Sequence, residues 1–459
     1  MDQKQVYLDD VFAYIDSHHD YFLEELRPLI EQKSISTRNE GVEECASLLA
    51  DMLRGYGLSN VAIYPTAGRP VVYGEIIEDP SYPTMLMYGH YDVQPAEPLE
   101  AWDTDPFKMV IKDGRMFCRG GSDNKAQFFA ALMGMVSYRK VRGKLPINIK
   151  YLFEGEEEIG SIHLADFARE HKKMLKADAC IYSDGCYHEN GKPILILGLK
   201  GSVYTEIIIR GANRDTHSMR NTCIPSPVWR MAELLASMRG EGDMDGKVLI
   251  EGFYDNVRPL TQLEIDTCAK IPVDEELLKE SYGIDGFVKC PGGGTYYHNL
   301  MFEPGCNVNG LFAGYTGPGF KGVIPNMITA RVNFSLVPDM SMAEIREKIR
   351  KHVQKFGDDI ELRFIDGGFE PSRTPIDNKY VEICAKAVED GFGEYPILFP
   401  GVGGAGPNYV FVDILGMPAI EIPFADALQN NHAPNESQIL SGFFNGIRTS
   451  AAVIERFPR

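Results

Sequence analysis

The chain has no surplus of positive charge. Its 46 Lys and Arg face 65 Asp and Glu, a formal net charge of -19. Nucleic acid and anionic membranes would repel it, and both are excluded as partners. No segment approaches the roughly 18–20 continuous apolar residues of a membrane span. The polar, acidic start, Met1–Asp10, has no basic cluster and no apolar run, so a signal peptide is not expected and the cytoplasm is. Nine cysteines are scattered along the chain and none forms a C-x-x-C pair. A disulfide framework or a thiolate zinc site is therefore not expected, and the cysteines read as reduced core residues. Internal repeats, low-complexity tracts and extended linkers are also missing.

What is present suits two domains: 459 residues, with 44% hydrophobic and 24% charged residues, as in ordinary globular proteins. Apolar positions at helical spacing predict helices over Tyr21–Lys33, Glu43–Tyr56 and Lys125–Tyr138. Short apolar runs predict buried strands at Thr84–Tyr88, Ile147–Phe153 and Ala179–Tyr182. This order suggests an α/β sandwich with buried strands. From Val203 the texture changes. A strand (Val203–Ile209), a helix (Pro227–Met238), a long irregular stretch, a strand (Ile328–Val337), a helix (Ala343–Phe356) and a strand (Ile360–Phe364) suggest a small sheet covered on one face by helices. The pattern then returns to helix (Tyr380–Gly391) and strand (Ile420–Pro423). We read 203–369 as a second domain inserted into a first made of 1–202 and 370–459.

Five clusters carry candidate chemistry. His90-Tyr91-Asp92 follows a buried strand, where α/β proteins place ligands; in H-x-D the histidine can bind a metal while the aspartate fixes its tautomer. A lone histidine in a turn would look the same. Arg119-Gly120-Gly121-Ser122-Asp123-Asn124-Lys125 opens a helix, and its residues would equally serve as an N-cap. Glu154-Gly155-Glu156-Glu157-Glu158 places four glutamates in five positions at a strand end. They repel one another unless cations or protons compensate, and a solvated acidic loop is the bland alternative. Asp184 follows another strand, and His432 lies in Asn431-His432-Ala433-Pro434-Asn435-Glu436. Taken together, two His and three carboxylates suit zinc or manganese in an open, catalytic site. Two cations sharing one carboxylate, with a further carboxylate as base, would activate water for hydrolysis.

These motifs resemble the M20 metallopeptidases, and among them the cytosolic non-specific dipeptidase (carnosinase-like) branch. The resemblance runs from His90 to Glu436. It rests on GHYDVQP at 89–95, RGGSDNK at 119–125, EGEEEIGS at 154–161 and NHAPNE at 431–436. It implies a zinc-peptidase-like α/β/α catalytic domain with an inserted ferredoxin-like α+β lid and dimerisation domain. It implies two divalent metal ions per subunit, zinc first, with manganese and cobalt as alternatives. His90 and Asp184 would hold one, Glu158 and His432 the other, and Asp123 would bridge. Glu157 would be the general base and Asp92 would orient His90. The resemblance also implies a cis peptide between Asp123 and Asn124. His217, in Asp215-Thr216-His217-Ser218, would reach into a partner's site in a homodimer and stabilise the oxyanion.

Three positions depart from that branch's grip on a substrate carboxylate. Gly322 stands where it has Thr, Ser335 where it has Arg, and Ala405, after Gly404, where it has Ser. Each change removes a hydrogen-bond donor, and serine cannot replace a bidentate arginine. The expected substrate is a small peptide that lacks the usual free carboxylate or is bound by Arg214, Arg220 or Arg331 instead. An N-acyl amino acid deacylase using the same metal site is the alternative. A non-catalytic scaffold is a remote one, since every ligand and the base are present.

Overall fold

The computed structural model describes residues 3–240 and 245–457, with side chains from residue 8 onward. The chain divides into two compact units. The first is Met1–Gly198, Arg373–Pro400 and Pro407–Arg459; the second is Leu199–Ser372 with Gly401–Gly406. The second unit thus begins at Leu199 rather than Val203, ends at Ser372 rather than Phe369, and takes in a short return segment.

In chain order the strands of the two larger sheets are β1 (Ser59–Tyr64), β2 (Val71–Ile76), β3 (Thr84–His90), β4 (Asn148–Glu154), β5 (Ala179–Tyr182), β6 (Ile194–Ile196), β7 (Gly201–Arg210), β8 (Gly305–Ala313), β9 (Met327–Leu336), β10 (Glu361–Phe364), β11 (Ile397–Phe399) and β12 (Ala419–Glu421). The first unit is built on an eight-stranded mixed sheet of order β1-β2-β4-β3-β5-β12-β6-β11. Side chains alternate across a strand, and β3 shows which layer each face meets. Met85 and Met87 join the core formed with helices Val42–Gly55, Lys125–Arg142 and Leu440–Arg456. Leu86 and Tyr88 join the opposite core, with Phe167, Val410 and Phe411. The unit is therefore an α/β/α sandwich.

Four neighbouring strands run parallel: β4 with β3, β3 with β5, and β5 with β12. Their carboxyl ends consequently open on one edge. His90 is level with Glu154, Tyr88 with Tyr182, and Tyr182 with Glu421. Gly89 is required here by packing, because a Cβ at that position would lie 2.6 Å from Cβ of Phe128. Its lack of a side chain lets helix Lys125–Arg142 close on the strand that carries His90.

The second unit reads β7, helix Pro227–Met238, β8, β9, helix Met342–Gln354, β10. Its antiparallel sheet has the order β8-β9-β7-β10, the ferredoxin-like split βαβ arrangement. One face buries Val203, Ile207, Val332 and Phe334 against Met231, Leu234, Ile345 and Ile349 of the two helices. The stretch between helix Pro227–Met238 and β8 is not irregular: it contains helices Gln262–Cys268, Glu275–Tyr282 and Tyr296–Phe302. β8 is an edge strand whose residues are mostly exposed, with no buried alternation to mark it.

Candidate metal centre

The carboxyl edge of the first unit's sheet collects the residues singled out by sequence. His90 closes β3; Glu157 and Glu158 form a short turn three residues past β4; Asp184 lies two residues past β5. Asp123 lies two residues before helix Lys125–Arg142 and is joined to Asn124 by a cis peptide. His432 sits in the loop before the short strand Ser437–Ile439 and adopts a positive φ of 59°.

Two groups of three potential ligands result, and Asp123 belongs to both: His90, Asp123 and Asp184; and Asp123, Glu158 and His432. Within each group the ligand atoms lie within 4.8 Å of one another. Nε2 of His90 is 3.1 Å from Oδ1 of Asp123 and 3.4 Å from Oδ2 of Asp184. Nε2 of His432 is 3.0 Å from Oδ2 of Asp123 and 3.0 Å from Oε2 of Glu158. Each oxygen of Asp123 therefore faces a different imidazole. Nε2 of His90 is buried with no hydrogen-bond partner of proper geometry, although two carboxylates approach it. A buried polar atom left this way is costly, and a cation among these three ligands would satisfy it. Imidazole and carboxylate without thiolate is the donor set of a catalytic zinc or manganese site. The residues fit two divalent ions.

The electrostatics are those of a crowded anionic pocket. Burial pushes the Glu157 carboxyl well above its ordinary range, and nearby Glu158, Asp184 and Asp123 push it further. Burial raises Glu158 to about 7, helped by Asp123. Hydrogen bonds to Asp123 and Glu158 lift His432 to about 10. Burial opposes the charging of His90, yet Asp123, Asp184 and Asp92 hold it well above the usual imidazole range. Burial alone would raise Asp123, but the two histidines keep it ionised.

Asp92 is fully buried and does more than face His90. Its Oδ1 is 3.4 Å from Nδ1 of His90, while that nitrogen lies 3.1 Å from the Asp92 carbonyl oxygen. Its carboxylate also accepts from the backbone amides of Glu157 and Glu158, at 3.2 and 3.1 Å. The other two glutamates of the acidic run have structural work. Glu154 accepts from the hydroxyls of Tyr88 and Ser161, and Glu156 pairs with His163 and accepts from the Arg69 amide. Two supporting residues were not singled out from sequence. Gln94 donates to both the carbonyl and the carboxylate of Glu158, at 3.1 and 2.9 Å. Asn124 donates to the Ser183 carbonyl next to Asp184, at 2.5 Å. Both sit inside the motifs, and only the tertiary pairing reveals their partners.

The remaining candidates belong to the second unit. His217 is exposed, pairs with Val323 across a short two-stranded ladder, and accepts from the Met219 amide at its Nδ1. Gly322 is beside it: the Gly322 carbonyl accepts from Ser218, and a Cβ at 322 would lie 2.9 Å from the Ser218 hydroxyl. Arg214 and Arg220 are exposed on either side of His217. Arg331 is already engaged, 3.3 Å from Glu206 and stacked over Phe312 at 5.4 Å. Gly404, in the return segment, accepts from the Lys200 amide, and Ala405 bridges to Lys200. None of these residues is among the two ligand groups.

Residues 86–456 match peptidase family M20/M25/M40. The chain belongs to this family. It is 27% identical over 97% of its length to human Beta-Ala-His dipeptidase, covering 92% of that protein. It is also 27% identical to the Cys-Gly metallodipeptidase DUG1 of Saccharomyces cerevisiae, covering 98% of each chain. Among solved structures it is similar to Sso-CP2, an M20 family metallo-carboxypeptidase from Sulfolobus solfataricus. The TM-score is 0.89, with 32% identity over 95% of this chain and 99% of that one. This M20 peptidase is thus an enzyme of peptide-bond hydrolysis, from a family of dinuclear-metal enzymes, and it carries candidate ligands for two ions. Among its described residues no helix is long and apolar enough to cross a membrane.

Proposed function

We propose that this chain is a two-zinc peptidase that releases the C-terminal residue of a dipeptide or short peptide. The observation that carries the reading is the division of Asp123 between two histidines, each with its own second carboxylate. His90 and Asp184 would hold one ion and Glu158 and His432 the other, with Asp123 common to both ligand groups. Zinc is preferred for its match to imidazole and carboxylate; manganese and cobalt use the same donors. Ions bound there supply Lewis acidity to the attacking water and to the scissile carbonyl. Glu157 is the carboxylate left over. Standing beside the two ligand groups and belonging to neither, it would take the water proton and return it to the leaving amine nitrogen. Asp92 orients His90 and ties Glu157 to it through the backbone.

The substrate class draws on relatives named as dipeptidases and on one named as a carboxypeptidase. Both activities cut beside a C-terminal residue. The N-acyl deacylase reading keeps every ligand, but these names do not favour it. The carboxylate is gripped differently here, because Gly322, Ser335 and Ala405 lack the donors of the dipeptidase branch. A homodimer with His217 in the partner's site is supported by the second unit's surface. Phe320 is 95% exposed, Trp229 74%, Met219 73%, and Leu311 and Phe312 of edge strand β8 are 54% each, an apolar load that a second copy would cover. Nine unpaired cysteines, five of them buried, support placing the enzyme in the cytoplasm.

The test pairs metal content with turnover. Free dipeptides, C-terminally amidated dipeptides, longer peptides and N-acyl amino acids are assayed before and after chelation. Two metals per chain with chelator-sensitive peptide turnover is the expected result. Turnover that survives complete metal removal, or confined to N-acyl amino acids, overturns the reading.

A further inference from the structure

Two residues of the motifs have no part in the chemistry above: Arg119, at the start of RGGSDNK, and Glu436, at the end of NHAPNE. They form a buried ion pair, Arg119 1% and Glu436 0% exposed, with Nη1 of Arg119 2.6 Å from Oε2 of Glu436. Glu436 does not stop there. Its Oε2 also accepts from the Gly120 amide at 3.2 Å. Its Oε1 accepts from the Ser122 amide at 2.9 Å, the Ser122 hydroxyl at 3.0 Å and the Asp123 amide at 3.1 Å. The carboxylate is thus threaded into the backbone of the loop that presents Asp123. Meanwhile its own backbone carbonyl accepts from the Cys118 amide at 3.1 Å.

Arg119 extends the connection. Its Nη2 donates to the Pro95 carbonyl at 3.1 Å, at the end of the segment that carries His90, Asp92 and Gln94. Its guanidinium stacks over Trp102 at 5.5 Å, and Trp102 donates to the Ala96 carbonyl at 2.7 Å. Three loops converge on one pair: the His90 segment, the Asp123 loop and the His432 loop, from which Glu436 is four residues on. A buried ion pair is weak evidence for stability, because desolvation opposes it. Here the carboxylate's other acceptor positions are filled by amides of the loop that carries Asp123.

We infer that the Arg119–Glu436 pair is the positioning device that sets Asp123 between the two metal positions and couples the occupancy of one to the other. This rests on the proposed two-metal site. The Asp123 amide is fixed by Glu436, and its two side-chain oxygens face different imidazoles, Oδ1 that of His90 and Oδ2 that of His432. Releasing the amide frees the loop to turn, so a bridging carboxylate serves one position at the expense of the other. Glu436→Gln keeps the shape but swaps an acceptor oxygen for an N–H₂ group, which meets donors on every side.

The experiment is zinc titration of the full-length protein, read as stoichiometry and affinity in competition with a chromophoric chelator. The wild type, E436Q and a control, E455Q, are compared. Glu455 is a buried carboxylate that accepts from the Tyr138 hydroxyl, between the helices at 125–142 and 440–456. The wild type is expected to bind two zinc ions per chain; if it binds none, the proposed function itself falls. E436Q is expected to lose about 10–100-fold in affinity for at least one ion, the range for residues that orient metal ligands, with activity restored by added zinc and KM unchanged. E455Q is expected to keep wild-type zinc binding even if its Tm falls. Two ions bound by E436Q with wild-type affinity, beside a wild type that binds two, overturn the inference. Should E436Q fail to fold, Arg119→Lys keeps the charge but loses the fork to Glu436 and Pro95, and is read by the same two outcomes.

Discussion

The Asp92 carboxylate and the Glu157 backbone amide are joined at 3.2 Å, so the residue behind His90 also fixes the segment that carries the base. Asp92→Asn retains one acceptor oxygen and turns an N–H₂ toward an amide that needs an acceptor. Both the imidazole and the Glu157–Glu158 turn lose their anchor. The expected outcome is a fall of about 10–100-fold in metal affinity or kcat. Parallel measurement of zinc content and dipeptide turnover checks it, and wild-type values for both contradict the assignment.

Glu157 is expected to behave differently, because it belongs to neither ligand group. Glu157→Gln removes the proton acceptor without removing a ligand. It should lower kcat by about 10²–10⁴-fold, the usual worth of a general base, and leave metal content as in the wild type. Loss of metal instead would make Glu157 a ligand and move the base elsewhere.

Most of the candidate metal centre is legible in the amino-acid sequence. His90, Glu157, Glu158 and Asp184 each follow a short apolar strand, and parallel strands place their carboxyl ends together. That local signal marks the site. It does not divide the acidic run, because Glu154 and Glu156 resemble Glu157 and Glu158 until Tyr88, His163 and Arg69 are brought to them. Nor does it reveal Gln94, whose partner lies 64 positions away. In the second unit the helices at 227–238 and 342–354 have a clear apolar stripe. Strand β8 does not, since an edge strand with few buried positions leaves no period to read.

The pH response separates stripped from loaded protein. In chelator-treated protein His432 is held up to about 10 by Asp123 and Glu158, and burial raises Glu158 to about 7 and Glu154 and Glu421 to about 8. For each, the folded pKa exceeds the unfolded one. The stability it contributes is complete below the unfolded pKa and fades as pH rises through the folded value. Asp123, held low, acts in the opposite sense but only in strong acid. The Tm of stripped protein should therefore fall as pH rises from about 5 to about 9. Zinc needs neutral imidazole and ionised carboxylate, so its affinity rises with pH and the loaded protein should lose less Tm or gain. Thermal unfolding across that range, with and without zinc, checks both. A stripped protein that gains Tm with pH contradicts the first expectation.

Substrate recognition can be tested at Ser335. On β9, Arg331, Asn333 and Ser335 share the face away from the helices, while Val332, Phe334 and Leu336 are buried. Ser335 is opposite Ser202 on β7 and Gly305 on β8, both small. An arginine there has room and buries no charge in the helix-covered core, so Ser335→Arg should change stability by less than about 1 kcal/mol. Arg331 is no substitute. Four residues along a strand is about 13 Å, and Glu206 and Phe312 already hold its guanidinium. Arg331→Ala should accordingly leave KM near the wild-type value. Ser335→Arg should lower KM for free dipeptides by about 10-fold or more, in keeping with about 1.5–3 kcal/mol for a hydrogen bond to a charged group. It should not change KM for C-terminally amidated ones. Steady-state kinetics on the paired substrates decides the matter. Equal gains on both would show that the arginine acts on something other than the carboxylate, and a large loss on Arg331→Ala would return the grip to that residue.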